Sequence, residues 1–554
     1  MDPESRTVPA MLRHWATVDP DTPAFIYVLA TGGRCVLTRA DLFRLSSRYA
    51  AILRRNGVKP GTTVCNTLFN SPERMVTDFG IILAGGVAMN SQPFLSDGED
   101  LIVALKESAA IAVIVDPLQP RGAAKFLNQR ATSHPQTGQV TYSELPALKQ
   151  VFEVHYSEDD SEKRPFIDLL EKEQDSYVAD VTPSEIAVLW SSSGTTGFSK
   201  LIPASHDGVI GLGNCLYKMQ NMRPEDIFFN NLPNGWAVGF PSVFLAHGTT
   251  RVMPDCGTEL PPLDWDCIPL ERCTVAFLVP FDILQLVDLV RRKGNDEDKQ
   301  YKLRAIMSSG QPLMKNHMEA IGIITDSIQI VYGCSETGLI SYKTVTDKDS
   351  YENCNNGPPA SGVEVRVVNT DLSDQPVGQL GEILVRTASL IGGYLTKEAT
   401  QRAFIKDGWY RTGDTGYIND KGEIFTICRT ANNIMRGSVS LYPGWLERRI
   451  NRCPGVETVV IVPVPDPYFY QELCACVVPS PGANLTSEGL TEFCKTLFLT
   501  SEEEEFTAVP KYYLFFDALP TTDRGKINRR ETEAVARQRL GLNEDYPAAM
   551  KNDK

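Results

Sequence analysis

Residues 186–222 hold an apolar run, then a stretch of small hydroxylated residues, then a helix-like run. The stretch reads Trp190-Ser191-Ser192-Ser193-Gly194-Thr195-Thr196-Gly197-Phe198-Ser199-Lys200. Residues 186–190, Ile-Ala-Val-Leu-Trp, have the pattern of a short buried strand. Residues 207–222 can be drawn as a helix with Ser205 as its cap. Between them no bulky side chain stands before Phe198. A strand–loop–helix unit of this make-up suits a polyphosphate. Its glycines let the main chain approach closely, hydroxyls and backbone N–H groups donate, and Lys200 adds a point charge. It is not a Walker A loop, because Ser199 stands where that pattern needs its second glycine, five residues after Gly194. Alone, the stretch could be an ordinary polar loop, so its company along the chain decides.

A chain of 554 residues is too long for one core and suggests two to four units. With 42% hydrophobic and 22% charged residues it has the balance of a globular enzyme. A formal charge of −15 argues against nucleic acid or an anionic membrane surface as main partner. The 13 cysteines lack metal-ligand spacing, and Cys474-Ala475-Cys476 lies in an apolar run, as buried thiols do. A reducing compartment is expected. No apolar run approaches a membrane span. Met1-Asp2-Pro3-Glu4-Ser5 lacks the layout of a signal peptide, and Lys551-Asn552-Asp553-Lys554 is not a peroxisomal address, so the expected location is cytoplasmic.

Taken in order, residues 1–180 alternate short apolar runs with helical stretches. Leu42, Leu45, Tyr49 and Leu53 mark one helical face over 41–55, and residues 111–115 read as a buried strand. Strands are expected near 274–279, 303–307 and 327–332, with helices near 281–292 and 313–321. That alternation implies a parallel sheet with ligands beyond the strand carboxyl ends. Besides the opening stretch, two loops fall there: Ser308-Ser309-Gly310-Gln311-Pro312 and Gly333-Cys334-Ser335-Glu336-Thr337-Gly338. Residues 357–426 alternate like antiparallel strands and suggest a small barrel-like part. After Arg429 a separate α+β unit begins, with helices near 445–452 and 487–497 and strands near 458–462, 473–478 and 512–516. Glu502 to Glu505 is an acidic run of the kind a solvated face carries.

These pieces occur in the order of a known family. Ser-Ser-Gly-Thr-Thr-Gly-x-x-Lys resembles the phosphate-binding signature of the adenylate-forming enzymes: acyl- and aryl-CoA synthetases, beetle luciferases and peptide-synthetase adenylation domains. The resemblance spans nearly the whole chain. It implies an α/β N-terminal domain over 1–429, with parallel-type sheets and the barrel-like part, and a mobile α+β C-terminal lid over 430–554. It implies ATP contacts from Ser192, Ser193, Gly194, Thr195, Thr196, Gly197 and Lys200. Gly310, Gln311 and Pro312 resemble the loop that stacks on adenine. Tyr332 and Gly333 begin the next signature, in which Ser335 would reach the α-phosphate and Glu336 would hold Mg²⁺. Asp414, in Tyr410-Arg411-Thr412-Gly413-Asp414, and Arg429 would contact the ribose. Lys526, in Asp523-Arg524-Gly525-Lys526, would bridge the substrate carboxylate and the α-phosphate. Trp236, in Leu232-Pro233-Asn234-Gly235-Trp236, takes the place of a gating ring, with Gly333 and Cys334 beside the acyl group.

The implied reaction joins a small-molecule carboxylic acid to ATP as an acyl-adenylate, releases pyrophosphate, and passes the acyl group to CoA. Lys526, Lys200 and Glu336 are its expected catalytic residues. The residues between Asp226 and Asp255 offer no carboxylate for a substrate amine, which favours a fatty or aryl acid over an α-amino acid. Ala431, Met435 and Ser438 depart from the family's hinge and thiol-tunnel pattern. They leave open an acyl-carrier protein, or oxidative chemistry, as the fate of the adenylate. A non-catalytic nucleotide-binding relative is the third alternative.

Overall fold

The computed structural model describes residues 6–29, 33–91, 98–119, 122–133, 140–156, 164–192, 200–256, 264–292, 301–310, 313, 315–369, 371–429, 434–437, 439–441, 443–498, 508–520 and 527–542. Two mainly parallel sheets dominate its larger part. A six-stranded sheet has the order Lys200–Ser205, Ile186–Ser192, Val87–Asn90, Thr63–Asn66, Ala112–Val115 and Gln150–Glu153. An eight-stranded sheet has the order Gly338–Val345, Ile328–Cys334, Ala305–Ser308, Val275–Leu278, Phe228–Phe229, Arg251–Pro254, Pro23–Val28 and Arg34–Thr38. Thr63–Asn66, Val87–Asn90 and Ala112–Val115 are buried at every position, as strands covered on both faces are. Helix Pro72–Leu83 is also buried at every position, within an apolar cluster that draws Phe25 and Tyr27 from one sheet and Val64, Ala88 and Val188 from the other. Helix Arg39–Arg55 buries the expected Leu42, Leu45, Tyr49 and Leu53, and its Thr38 cap accepts from the Asp41 N–H.

The expected alternation is present as strands Val275–Leu278, Ala305–Ser308 and Ile328–Cys334 with helices Pro280–Arg292 and Lys315–Ile321. Two details differ. Lys200–Ser205 is a strand antiparallel to Ile186–Ser192, with Lys200 opposite Ser192, so the opening stretch joins two paired strands rather than a strand and a helix. Leu201, Ile202 and Ala204 are buried in that strand, and its place at the sheet edge tolerates Pro203. The helix starts only at His206, where the Ser205 hydroxyl does accept the Gly208 N–H, at 3.1 Å. Likewise Gly333 and Cys334 are not loop residues but continue the strand expected to end at Tyr332. They end a strand that turns back antiparallel as Gly338–Val345.

Residues 357–429 hold the antiparallel sheet Val363–Val368, Gly381–Thr387, Tyr410–Ile418 and Ile424–Arg429. The α+β C-terminal part has strands Val439–Leu441, Ile434–Arg436, Tyr470–Pro479, Val456–Asp466 and Tyr512–Phe515, and helices Pro443–Ile450, Ser487–Phe498 and Arg529–Leu540. Its own apolar cluster joins Ile434, Trp445, Leu446, Ile461, Leu473 and Leu490. The acidic run from Glu502 lies outside the described residues. Among the described residues no helix is long and apolar enough to cross a membrane.

Helix Val8–Val18 is tied to this frame by a histidine. The Val8 N–H donates to Nδ1 of His206 at 3.3 Å, and His206 is 2% exposed. Burial pulls the imidazole down to about 4, with Glu185 offsetting part of the effect. An unfolded chain takes up this proton near pH 6.5 and the folded one only near pH 4. Between those values the unfolded state binds more protons, so stability falls as pH is lowered through the window. The loss reaches about 3 kcal/mol. Comparison of thermal midpoints at pH 7 and pH 5 for the wild type and His206→Asn should show a shallower fall in the variant, whose side chain accepts without titrating.

Candidate active site

The carboxyl ends of Ile186–Ser192 and Ile328–Cys334 and the facing edge of the antiparallel sheet bring together residues far apart in the chain. The turn after Cys334 presents Glu336, which is 6% exposed. Its Oε1 accepts the Tyr394 hydroxyl at 2.7 Å, and Tyr394 Oη lies 3.0 Å from Tyr410 Oη. Glu336 also accepts the Ile391 N–H on its backbone carbonyl at 2.9 Å, docking the loop before Tyr394 onto the turn. Lys200 Nζ sits 4.8 Å from the centroid of the Tyr394 ring, a cation–π distance. Burial above all, and then the negative charge of Glu336, pushes the Tyr394 hydroxyl far above its ordinary range, so it remains a donor. Lys200 and Glu336 are thus joined through a tyrosine that the sequence expectations omitted.

A second pair fixes the other side. Tyr332 Oη donates to Asp414 Oδ2 at 2.8 Å, and burial raises that hydroxyl too. Asp414 stands opposite Arg429 in the register of two neighbouring strands, which brings the two expected ribose contacts onto adjacent strands. Gly333 has a steric reason as well: a Cβ there would lie 2.3 Å from the Gly338 carbonyl oxygen. Gly310 has a φ of +94°, open to glycine at no steric cost. Ser335 is half-buried in the turn before Glu336. The Cys334 thiol is pushed up by burial and lies 3.2 Å from Thr337 Oγ1, so it is no ready nucleophile.

Trp236 lies in a loop, residues 230–239, that several polar anchors hold. The guanidinium of Arg251 donates to the carbonyls of Asn230 (2.8 Å), Leu232 (3.2 Å) and Gly239. Arg251 is 2% exposed, and burial pulls its pKa down to about 10. Asn234 donates to Asp78 at 3.2 Å, and Asp78 also faces Arg74 and Asn66. The Gly235 carbonyl accepts the Ser191 N–H at 3.0 Å, coupling this loop to the strand that leads into the opening stretch. Trp236 itself is half-buried against an apolar cluster with Phe277, Val279, Phe281, Met307, Val331 and Leu339. At the loop's start Asn231 donates to Asp282 at 3.3 Å, and burial raises that carboxyl to about 6.

Ser193, Gly194, Thr195, Thr196, Gly197, Gln311, Pro312, Lys526, Ala431 and Ser438 lie outside the described residues, as do the side chains of Ser192 and Arg429. Sequence reasoning missed Tyr394, Arg251 and Asp282. A Gly392-Gly393-Tyr394 run before a helix was the one available signal for the first. An arginine inside the otherwise apolar Arg251–Pro254 strand was the signal for the second. Among the described residues no group of three His, Cys, Asp or Glu could hold a metal ion by itself. One buried carboxylate, Glu336, fits a magnesium ion whose other ligands come from phosphates and water.

A family model described as AMP-binding enzyme matches residues 12–395, and its C-terminal domain model matches 446–526. The chain belongs to the AMP-binding enzyme family. It is 26% identical over 97% of its length to salicyl-AMP ligase / salicyl-S-ArCP synthetase of Mycobacterium tuberculosis, covering 91% of that protein. It is 25% identical over 90% of its length to 4-coumarate–CoA ligase of Vanilla planifolia, covering 88% of it. Among solved structures, it matches a double mutant of o-succinylbenzoate CoA synthetase from Bacillus subtilis with a TM-score of 0.74 at 19% identity, covering 94% of this chain and 97% of that one. The amide bond synthetase McbA of Marinactinospora thermotolerans gives a TM-score of 0.72 at 22% identity, covering 96% and 99%. Members of this adenylate-forming family therefore differ in acid and in acceptor.

The clamp on the Trp236 loop has a measurable consequence. Arg251→Met leaves three buried carbonyls without their shared donor and should cost about 2–3 kcal/mol, read as a lowered thermal midpoint. Arg251→Lys should recover part of the loss.

Proposed function

We propose that this protein activates an apolar carboxylic acid as its acyl-adenylate, with ATP as co-substrate and Mg²⁺ as its ion, and then passes the acyl group to a thiol. The observation that carries this is the chain of contacts from Lys200 through Tyr394 to Glu336, beside the Tyr332–Asp414 pair, in a family member. An acid oxygen attacks the α-phosphorus of ATP, the bond to the β-phosphate oxygen breaks, and pyrophosphate leaves with the electron pair. Positioning and charge neutralisation supply most of the acceleration. Lys200, seated on the Tyr394 ring, offers its ammonium to the outgoing phosphates, together with the hydroxyls and N–H groups from Ser192 to Gly197. Asp414 and Arg429 hold the ribose, and Tyr332 with Gly310, Gln311 and Pro312 flanks the base. Ser335 reaches the α-phosphate. Glu336, oriented by Tyr394, would hold Mg²⁺, which supplies positive charge to the phosphates. Lys526 bridges the acid and the α-phosphate from the C-terminal domain, residues 430–554, which moves relative to residues 1–429.

Trp236, Gly333 and Cys334 border the acyl group. The apolar cluster behind Trp236 supports a fatty or aryl acid, and CoA is the first acceptor on this reading. A carrier-protein thiol is the second, favoured by Ala431, Met435 and Ser438 and by the likeness to a relative named as a salicyl-S-ArCP synthetase.

The test is acid-dependent exchange of pyrophosphate into ATP across fatty, aryl and amino acids, followed by CoA for the acids that respond. Exchange with fatty or aryl acids is expected, and Lys526→Ala should lower it about 10²–10³-fold. Exchange without thioester formation turns the acceptor to a carrier protein. Absence of exchange with every acid, despite ATP binding, contradicts the proposal.

A further inference from the structure

The C-terminal part carries a hairpin whose tip is built to hold two aromatic rings outward. Strands Val456–Asp466 and Tyr470–Pro479 pair along their length, and the tip is Pro467-Tyr468-Phe469. Asp466 Oδ1 accepts the N–H groups of both Tyr468 and Phe469 at 2.9 Å, while its Oδ2 pairs with Lys511 Nζ at 2.9 Å. The Phe469 carbonyl accepts the Gly437 N–H at 2.9 Å. The Arg436 guanidinium lies 4.4 Å from the Phe469 ring centroid and donates to Glu472, whose side chain is 1% exposed. Tyr470 closes the tip with a φ of +68°, a conformation that costs a bulky residue free energy and persists only where the surroundings impose it. Two ion pairs, three backbone bonds and a strained tyrosine are more than a surface turn requires.

What the tip touches gives it a use. The Tyr468 ring meets Phe281 edge-on at 5.0 Å, and the Phe469 ring stacks on Phe281 at 5.5 Å with 16° between planes. Phe281 is 2% exposed, in the first turn of helix Pro280–Arg292, just past the carboxyl end of strand Val275–Leu278. The same apolar cluster holds Trp236, Val238, Val331 and Leu339, half-buried, and Phe277 and Met307, buried. The two rings therefore join the cluster that backs the Trp236 loop, though they come from the far end of the chain.

We propose that Tyr468 and Phe469 are specificity-determining residues: they supply one wall of the acid pocket from the C-terminal domain. The inference rests on the acid-activating function proposed above. A flat or extended apolar acid is then enclosed between Trp236 and the tip rings, and its size is read with the tip docked on Phe281. Acids too bulky for that enclosure are disfavoured by the rings and not by the N-terminal residues alone. Aromatic rings suit the task, because they bury large area and prefer the offset and edge geometries seen here.

The experiment uses the full chain and pyrophosphate exchange with acids graded in bulk, from benzoate and cinnamate through medium- and long-chain fatty acids. The variants are Tyr468→Ala/Phe469→Ala, the milder Phe469→Leu, and Phe281→Leu on the N-terminal side. Folding is checked by circular dichroism and thermal midpoint. The double variant should raise KM for the preferred acid about tenfold, leave KM for ATP within about twofold, and shift the order of acids toward bulkier ones. Phe281→Leu should move the same quantities in the same direction, and it decides the matter if loss of Phe469 unseats Arg436 and the C-terminal domain fails to fold. Unchanged acid KM and unchanged order in folded variants overturn the inference while leaving the acid-activating function intact. Equal changes in the ATP and acid KM values also overturn it. A wild type inert toward every acid overturns both.

Discussion

One tyrosine hydroxyl ties the charged centre of this molecule together. Tyr394 donates to Glu336, meets the Tyr410 hydroxyl, and lends its ring face to Lys200. Each partner comes from a different element: Glu336 from the turn of an antiparallel strand pair, Lys200 from the first residue of an edge strand, Tyr410 from the antiparallel sheet. Without that hydroxyl a carboxylate that is 6% exposed would lose a hydrogen bond in surroundings where a lost bond is costly. The same ring holds a positive side chain in a chain of net charge −15. The positive charge of Lys200 is local and held on an aromatic face.

The apolar side of the centre depends on a different device. Loops with buried backbone need every carbonyl satisfied. In the Trp236 loop one guanidinium serves three carbonyls, and the Asn70 amide serves those of Asn231 and Leu232. Asn234 and Gly235 then fasten the loop to Asp78 and Ser191. The Trp236 loop and strand Ile186–Ser192 are parts of one hydrogen-bonded assembly.

Much of this was legible from residue types alone, and the limits have physical causes. The alternation of buried runs with helical faces in 274–332 showed the parallel order because strands covered on both faces have no polar phase to confuse it. Lys200–Ser205 was missed as a strand because Pro203 interrupts it, which an edge position permits. Tyr332 and Asp414 could be named from their motifs. Their mutual bond, across 82 positions of sequence, could not. Tyr394 follows two glycines, which mark a turn and no role, and its importance lies in what the fold sets around it. Arg251 sits in a short apolar strand, where a charge signals a buried partner without saying which.

On the function proposed above, these residues form an acyl-adenylate and release pyrophosphate. The most direct measurement is a single turnover with enzyme in excess over ATP, using a fatty or aryl acid, quenched and read by mass spectrometry. Equal amounts of acyl-adenylate and pyrophosphate are expected from the wild type, with both formed far more slowly by Tyr394→Phe and by Asp414→Ala. ATP bound but recovered intact, with no adenylate from any acid, would contradict the account.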